Sequence, residues 1–121
     1  MYVQVETVTV TTVSDGTATA YTGAVNGVLS QIMYAKTDSA NGVDFTITAD
    51  APGETIWTQS DVNASAVVAP RQATHSTVGV ATLYAAGGAA VLDKIAVSGK
   101  IKIVLAQGGD TKTGAFTFLF V

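Results

Sequence analysis

The only histidine, His75, stands in Thr74-His75-Ser76, and a hydroxyl beside an imidazole is the minimum from which a serine nucleophile could be activated. No Gly-x-Ser-x-Gly elbow surrounds it. The setting favours a loop histidine that is solvated or meets a neighbouring subunit, a contact that histidine would make sensitive to pH. Paired carboxylates are the other chemistry to weigh, because glycoside hydrolysis needs two acids flanking one bond. Asp44 and Asp50 fall on the outward side of one alternating segment, with Glu54 and Asp61 on adjoining turns, a placement that serves hydration of a strand face. Asp61-Val62-Asn63 offers alternating oxygens for calcium but lacks the glycine and closing glutamate of an EF-hand loop. Gly87-Gly88 and Gly108-Gly109 lack the lysine and helix of a phosphate cradle and read as bends. The sequence therefore assigns no catalytic residue, no cofactor and no metal site, and it predicts a protein that is not an enzyme.

Three side chains stand out as candidates for contact with a partner: Trp57, Arg71 and His75. Trp57 is the sole tryptophan. It could plug the core between two sheets, or it could be a stacking platform for sugar rings with Gln59, Asp61 and Asn63 beside it. Arg71 is the sole arginine, and with Pro70 and His75 it lies in a segment, 69–77, that is poor in large apolar residues and reads as an extended, exposed loop.

Composition points toward assembly. Only 12% of the 121 residues are charged while 48% are hydrophobic, against about 25% charged in an ordinary soluble domain. Such a surface implies that part of the outside is covered by another protein. The net charge of -3 and the pI of 4.7 argue against nucleic acid, which asks for a basic face. The charge is uneven: residues 94–121 carry four lysines and one aspartate, the reverse of the preceding chain. Cross-strand alternation and a basic docking patch both account for that bias. Cysteine is absent, which excludes disulfides, zinc fingers, iron–sulfur sites and thiol chemistry. The opening residues show no secretory pattern. Mean hydropathy is +0.39, but the apolar residues are interleaved with Thr, Asp, Lys and Gly, and no run approaches a membrane span. Asn63-Ala64-Ser65 fits a glycosylation acceptor, which matters only in a secreted eukaryotic setting that nothing else suggests.

The elements that must position these residues are strands. Val43, Phe45, Ile47 and Ala49 alternate with Asp44, Thr46, Thr48 and Asp50, the period-two pattern of a strand with one wet face. It recurs at Ile101, Ile103 and Leu105, and at Phe116, Phe118 and Phe120. The Val- and Thr-rich segment 2–13 predicts another strand, with a bulge or sheet crossing where its apolar parity changes between Val5 and Val8. Ser14-Asp15-Gly16 predicts a turn, with Gly in a left-handed conformation, closing a hairpin onto 17–21. Further strands are expected over 28–36, 55–58, 65–69 and 94–97, while the Ala-rich 78–92 reads as a helical turn or a glycine-softened loop. The sum is an all-β single domain over 1–121, a β-sandwich or jelly roll of about eight short antiparallel strands.

Tyr34-Ala-Lys-Thr-Asp38, Gly42-Val-Asp-Phe-Thr-Ile47, Glu54-Thr-Ile-Trp57 with Asp61-Val-Asn63, Asp93-Lys-Ile95, and Ala106-Gln-Gly-Gly109 followed by Lys112-Thr-Gly114 span most of the chain. In these stretches the sequence resembles the small β-rich virion proteins of tailed bacteriophages. The resemblance implies a structural protein, foremost a capsid decoration or cement protein on the shell exterior, made in the bacterial cytoplasm. It implies contacts with copies of itself, as a homotrimer, and with the major capsid protein, and none with nucleic acid or membrane. A neck or tail component is the alternative within that class, because no arm precedes Val3, and a carbohydrate-binding module using Trp57 is the alternative outside it.

Overall fold

The alternation written in the sequence becomes burial. Val43, Phe45, Ile47 and Ala49 all lie inside, and so do Ile101, Ile103 and Leu105, and Phe116, Phe118 and Phe120. The computed structural model describes residues 3–121; Tyr2, where the first strand was expected to begin, lies outside them. Ten strands follow in chain order: β1 (Gln4–Thr11), β2 (Ala18–Tyr21), β3 (Val25–Ala35), β4 (Val43–Ala49), β5 (Thr55–Val62), β6 (Ala66–Val68), β7 (Arg71–Ala73), β8 (Leu92–Gly99), β9 (Ile101–Ala106) and β10 (Thr113–Phe120). There is no helix among the described residues.

The strands form two antiparallel sheets facing each other. The smaller has the order β2-β9-β4-β5; the larger runs β1-β10-β3-β8-β7, with β6 also paired to β3. Setting β6 and β7 aside, eight strands remain, and they pair first with last, second with seventh, third with sixth and fourth with fifth. That is a long hairpin wound on itself, the jelly roll. The chain segment between β5 and β8, which carries β6 and β7, is an insertion into that winding.

Facing strands fill the space between the sheets with one aromatic cluster. Tyr34, Phe45 and Phe116 stand 5.0–5.2 Å apart between ring centroids in tilted and edge-on pairs, arrangements that suit the ring quadrupoles. The Tyr34 hydroxyl has no hydrogen-bond partner among the described residues, although the side chain is buried.

Two local expectations change, and one open alternative closes. The Ser14-Asp15-Gly16 turn is present, with Gly16 at φ 84, and the Gly16 amide donates to the Val13 carbonyl at 3.0 Å. It does not close a hairpin, because β1 pairs with β10 in one sheet and β2 with β9 in the other. The turn is the corner where the chain changes sheets. The parity change between Val5 and Val8 is not a bulge, since β1 and β10 stay in continuous register from Gln4 to Thr11; Val5 simply points outward. Bulges fall instead where β10 meets β3, between Leu119 and Phe120, and at two places along β4 and β5. Of the two readings of 78–92, the structure has the glycine-softened loop, with Gly79 and Gly87 at positive φ.

Candidate partner interface

The insertion holds the longest run of exposed residues among those described, 75–89. Its first part is tied down: β6 pairs with the second half of β3, and β7 extends the larger sheet beyond β8. Beyond Ala73 the chain leaves both sheets and makes an arm over residues 74–91, from which it returns into β8. Backbone hydrogen bonds close a ring at the arm's base. The Thr74 amide donates to the Val91 carbonyl at 2.9 Å, the Val91 amide to the Thr82 carbonyl at 2.9 Å, and the Thr82 amide to the Thr74 carbonyl at 3.0 Å.

Two tips grow from that ring. In the first, the Ser76 amide donates to the Val80 carbonyl at 2.8 Å, and Gly79 takes φ 81 to complete the turn. In the second, the Tyr84 amide donates to the Ala89 carbonyl at 3.0 Å around Gly87 at φ 70. Both glycines occupy the left-handed region where a side chain would add strain. The arm is thus ordered by its own backbone bonds rather than by a core.

What those tips display is apolar. Val78 is 83% exposed and Tyr84 76% exposed, with Val80 and Leu83 also open to solvent, as is Leu92 at the start of β8. From Gln72 to Leu92 there is no Asp, Glu, Lys or Arg. An exposed, uncharged display of large side chains on a fixed backbone makes the arm tips the candidate contact surface.

The three candidate contact residues are not brought together. His75 is exposed on the arm, bridged to Ala81. Arg71 is half-buried, and its Nη1 donates to the Ser30 carbonyl at 3.1 Å and to the Pro70 carbonyl at 2.8 Å. Ser30 is the residue that the bulge between β3 and β10 leaves out of register, at the fork where β3 passes from β8 to β6. The guanidinium therefore supplies the donor that the ladder does not. Trp57 is half-buried at the rim of the smaller sheet, edge-on to Phe45 at 4.6 Å, with its Nε1 donating to Gln59 Oε1 at 3.2 Å.

Of the polar residues that follow Trp57, Gln59 and Asn63 are engaged within the fold. Asn63 Oδ1 accepts from the Gly42 amide at 2.7 Å, and Asp44 Oδ1 accepts from the Asp61 amide at 2.8 Å, where Asp61 turns through a positive φ of 56. Among the described residues no three His, Asp or Glu side chains converge, and no pocket opens. Leu83 and Tyr84 lie beyond the loop that the sequence marked for contact; the signal that marks them is the charge-free run between Arg71 and Asp93.

No known family model matches the chain, and no curated protein matches it in sequence.

Proposed function

We propose that this chain is a non-enzymatic structural protein of a tailed-phage virion, first of all a capsid decoration protein that engages the major capsid protein through the arm. The observation that carries the reading is the pair of uncharged tips, with Val78 and Tyr84 outermost on a backbone held by its own hydrogen bonds. A preordered apolar tip loses little conformational freedom on docking, so more of its burial appears as affinity. One such contact is weak, but copies repeated over a lattice, or linked to one another, gain through effective concentration. The phage setting rests on the resemblance of the strand and turn segments to small virion proteins; jelly rolls serve capsids and lectins alike, so the fold alone does not choose.

The test uses particles of the phage that encodes the chain. Its peptides are expected in density-purified virions, with jelly-roll density on the shell exterior by cryo-electron microscopy. A variant carrying Val78→Ser and Tyr84→Ser is expected to bind shells assembled without the protein about 30-fold more weakly. Recovery of the chain only as free protein, never with particles, overturns the reading.

A further inference from the structure

We propose that Asn41 is a site of spontaneous chemical modification, at which the side chain loses ammonia to the following backbone amide, and that the side chain of Asn63 sets its pace. The chain has three asparagines, and two of them, Asn26 and Asn41, precede glycine. That order matters because glycine has no Cβ to hold its amide nitrogen away from the preceding side chain. In the reaction the Gly42 nitrogen gives its proton to hydroxide and attacks Asn41 Cγ, closing a five-membered imide. The bond from Cγ to Nδ2 breaks, and ammonia leaves with a proton from water, which regenerates the hydroxide. A second water then opens the ring. Opening at the side-chain carbonyl leaves aspartate; opening at the main-chain carbonyl leaves isoaspartate, with the chain rerouted through Cγ and longer by one methylene.

The two Asn-Gly pairs are alike in sequence and opposite in setting. Asn26-Gly27 lies inside β3. Val28 exchanges backbone hydrogen bonds with Val121 at 2.9 and 3.2 Å, so the amide of Gly27 turns to the other side of the strand, into the ladder opposite Val97 of β8. The Asn26 carboxamide is held toward β8 as well, its Oδ1 accepting from the Ser98 hydroxyl at 2.7 Å. Freeing both reacting groups means parting β3 from β8.

Asn41-Gly42 lies in the turn that leads into β4, with Asn41 exposed and Gly42 at φ 88. Here the restraint falls on the nucleophile alone. The Gly42 amide donates to Asn63 Oδ1 at 2.7 Å and to the Val62 carbonyl at 3.2 Å, and that proton must be released before the nitrogen can turn onto Cγ. The reactive state is therefore the locally opened turn, whose population follows the strength of the clasp. Losing one hydrogen bond of ordinary net strength raises that population about fivefold. The product changes this end of the smaller sheet. It adds a carboxylate beside Asp61, whose Oδ1 lies 3.4 Å from where a side chain on Gly42 would begin, and Asp44, which accepts from the Asp61 amide at 2.8 Å. Like charges gathered at one strand end repel, so the aged chain is expected to melt below the fresh one. The inference stands apart from the virion reading and holds whether or not the chain joins particles.

The experiment incubates the purified full chain in mildly alkaline buffer and follows each asparagine by peptide mass spectrometry, with isoaspartate separated from aspartate by chromatography. Folded wild type is expected to react at Asn41 at least about tenfold faster than at Asn26. In guanidinium chloride, where the fold is gone, the two are expected to react alike. Asn63→Ala removes the clasp and is expected to speed the reaction at Asn41 about fivefold; Asn63→Asp keeps an acceptor and is expected to react no faster than wild type. Should Asn63→Ala fail to fold by its thermal melt, wild type alone decides, because Asn41 must react more slowly in the folded chain than in guanidinium. Reaction at Asn26 as fast as at Asn41 in the folded chain, equal rates at Asn41 folded and unfolded, a folded Asn63→Ala no faster than wild type, or Asn63→Asp as fast as Asn63→Ala overturns the proposal.

Discussion

The inserted segment between β5 and β8 is no less apolar than the wound body around it, yet the two use that apolar character in opposite directions. The body places its large side chains at period two on strands of up to 11 residues, so one face of each strand meets the opposite sheet. Past Val62 no strand is longer than 3 residues until β8 begins. Its apolar residues are largely alanine, each worth about one methyl group of burial, and its glycines break the run before a second face can form. Lacking partners within the chain, Val78 and Tyr84 remain outside. The comparison teaches that apolar content alone does not make a core; repeated spacing over enough residues to reach a facing layer does.

The strongest way to break that contrast is inside the body. Phe118 is 0% exposed between Phe116 and Phe120, and Phe118→Ala is expected to cost about 3–5 kcal/mol. Urea denaturation followed by Trp57 fluorescence measures it. A loss under about 1 kcal/mol would mean that the two sheets close over the gap, and the body would then be far more plastic than its packing implies.

The next effect lies at the seam between body and insertion. Arg71→Ala removes the donor to Ser30 and leaves a carbonyl at the β3 fork unpaired, for an expected cost of about 1–3 kcal/mol. If stability is unchanged while partner binding falls, Arg71 acts outward and the seam holds without it. Smaller still is the expected cost of cutting the arm away. Because the base ring brings Thr74 within hydrogen-bonding distance of Val91, an Asn-Gly turn can join them directly. Unfolding free energy is expected to stay within about 1 kcal/mol of wild type. A larger loss would show that the arm shields part of the sandwich.

What the sequence revealed divides along the same line. β4, β9 and β10 were legible because their buried apolar residues recur at every second position, with only Val104 and Leu119 among the large apolar residues falling between them. The turn at Ser14-Asp15-Gly16 was legible, but the strands on either side were assigned to one hairpin. A turn motif specifies a reversal and leaves sheet membership to long-range pairing, here β1 with β10 and β2 with β9. Val5 misled for a different reason: an apolar residue on an uncharged outer face imitates a change of parity. In the candidate interface, His75 was readable as exposed because no large apolar residue flanks it at strand spacing. The engagement of Arg71 was hidden, since it depends on a bulge at Ser30, 41 residues away. The arm tips escaped because alanine and glycine carry no period.

Acid sharpens the comparison further, since every carboxylate of the chain lies outside the arm. Asp15, at the corner where the body changes sheets, accepts from the Thr17 hydroxyl at 2.7 Å and the Thr17 amide at 3.1 Å through Oδ1. Those bonds favour the charged form and hold its carboxyl below the ordinary carboxylate range. A pKa depressed on folding contributes stability that is complete above the unfolded value of about 3.9 and is lost as pH falls through the folded one. The melting temperature of Asp15→Asn is therefore expected to lie slightly below wild type at neutral pH and to converge with it below about pH 4. The arm-deleted chain should keep the wild-type pH profile unaltered. A gap between Asp15→Asn and wild type that persists undiminished into acid would show that the corner depends on the shape of the side chain rather than on its charge.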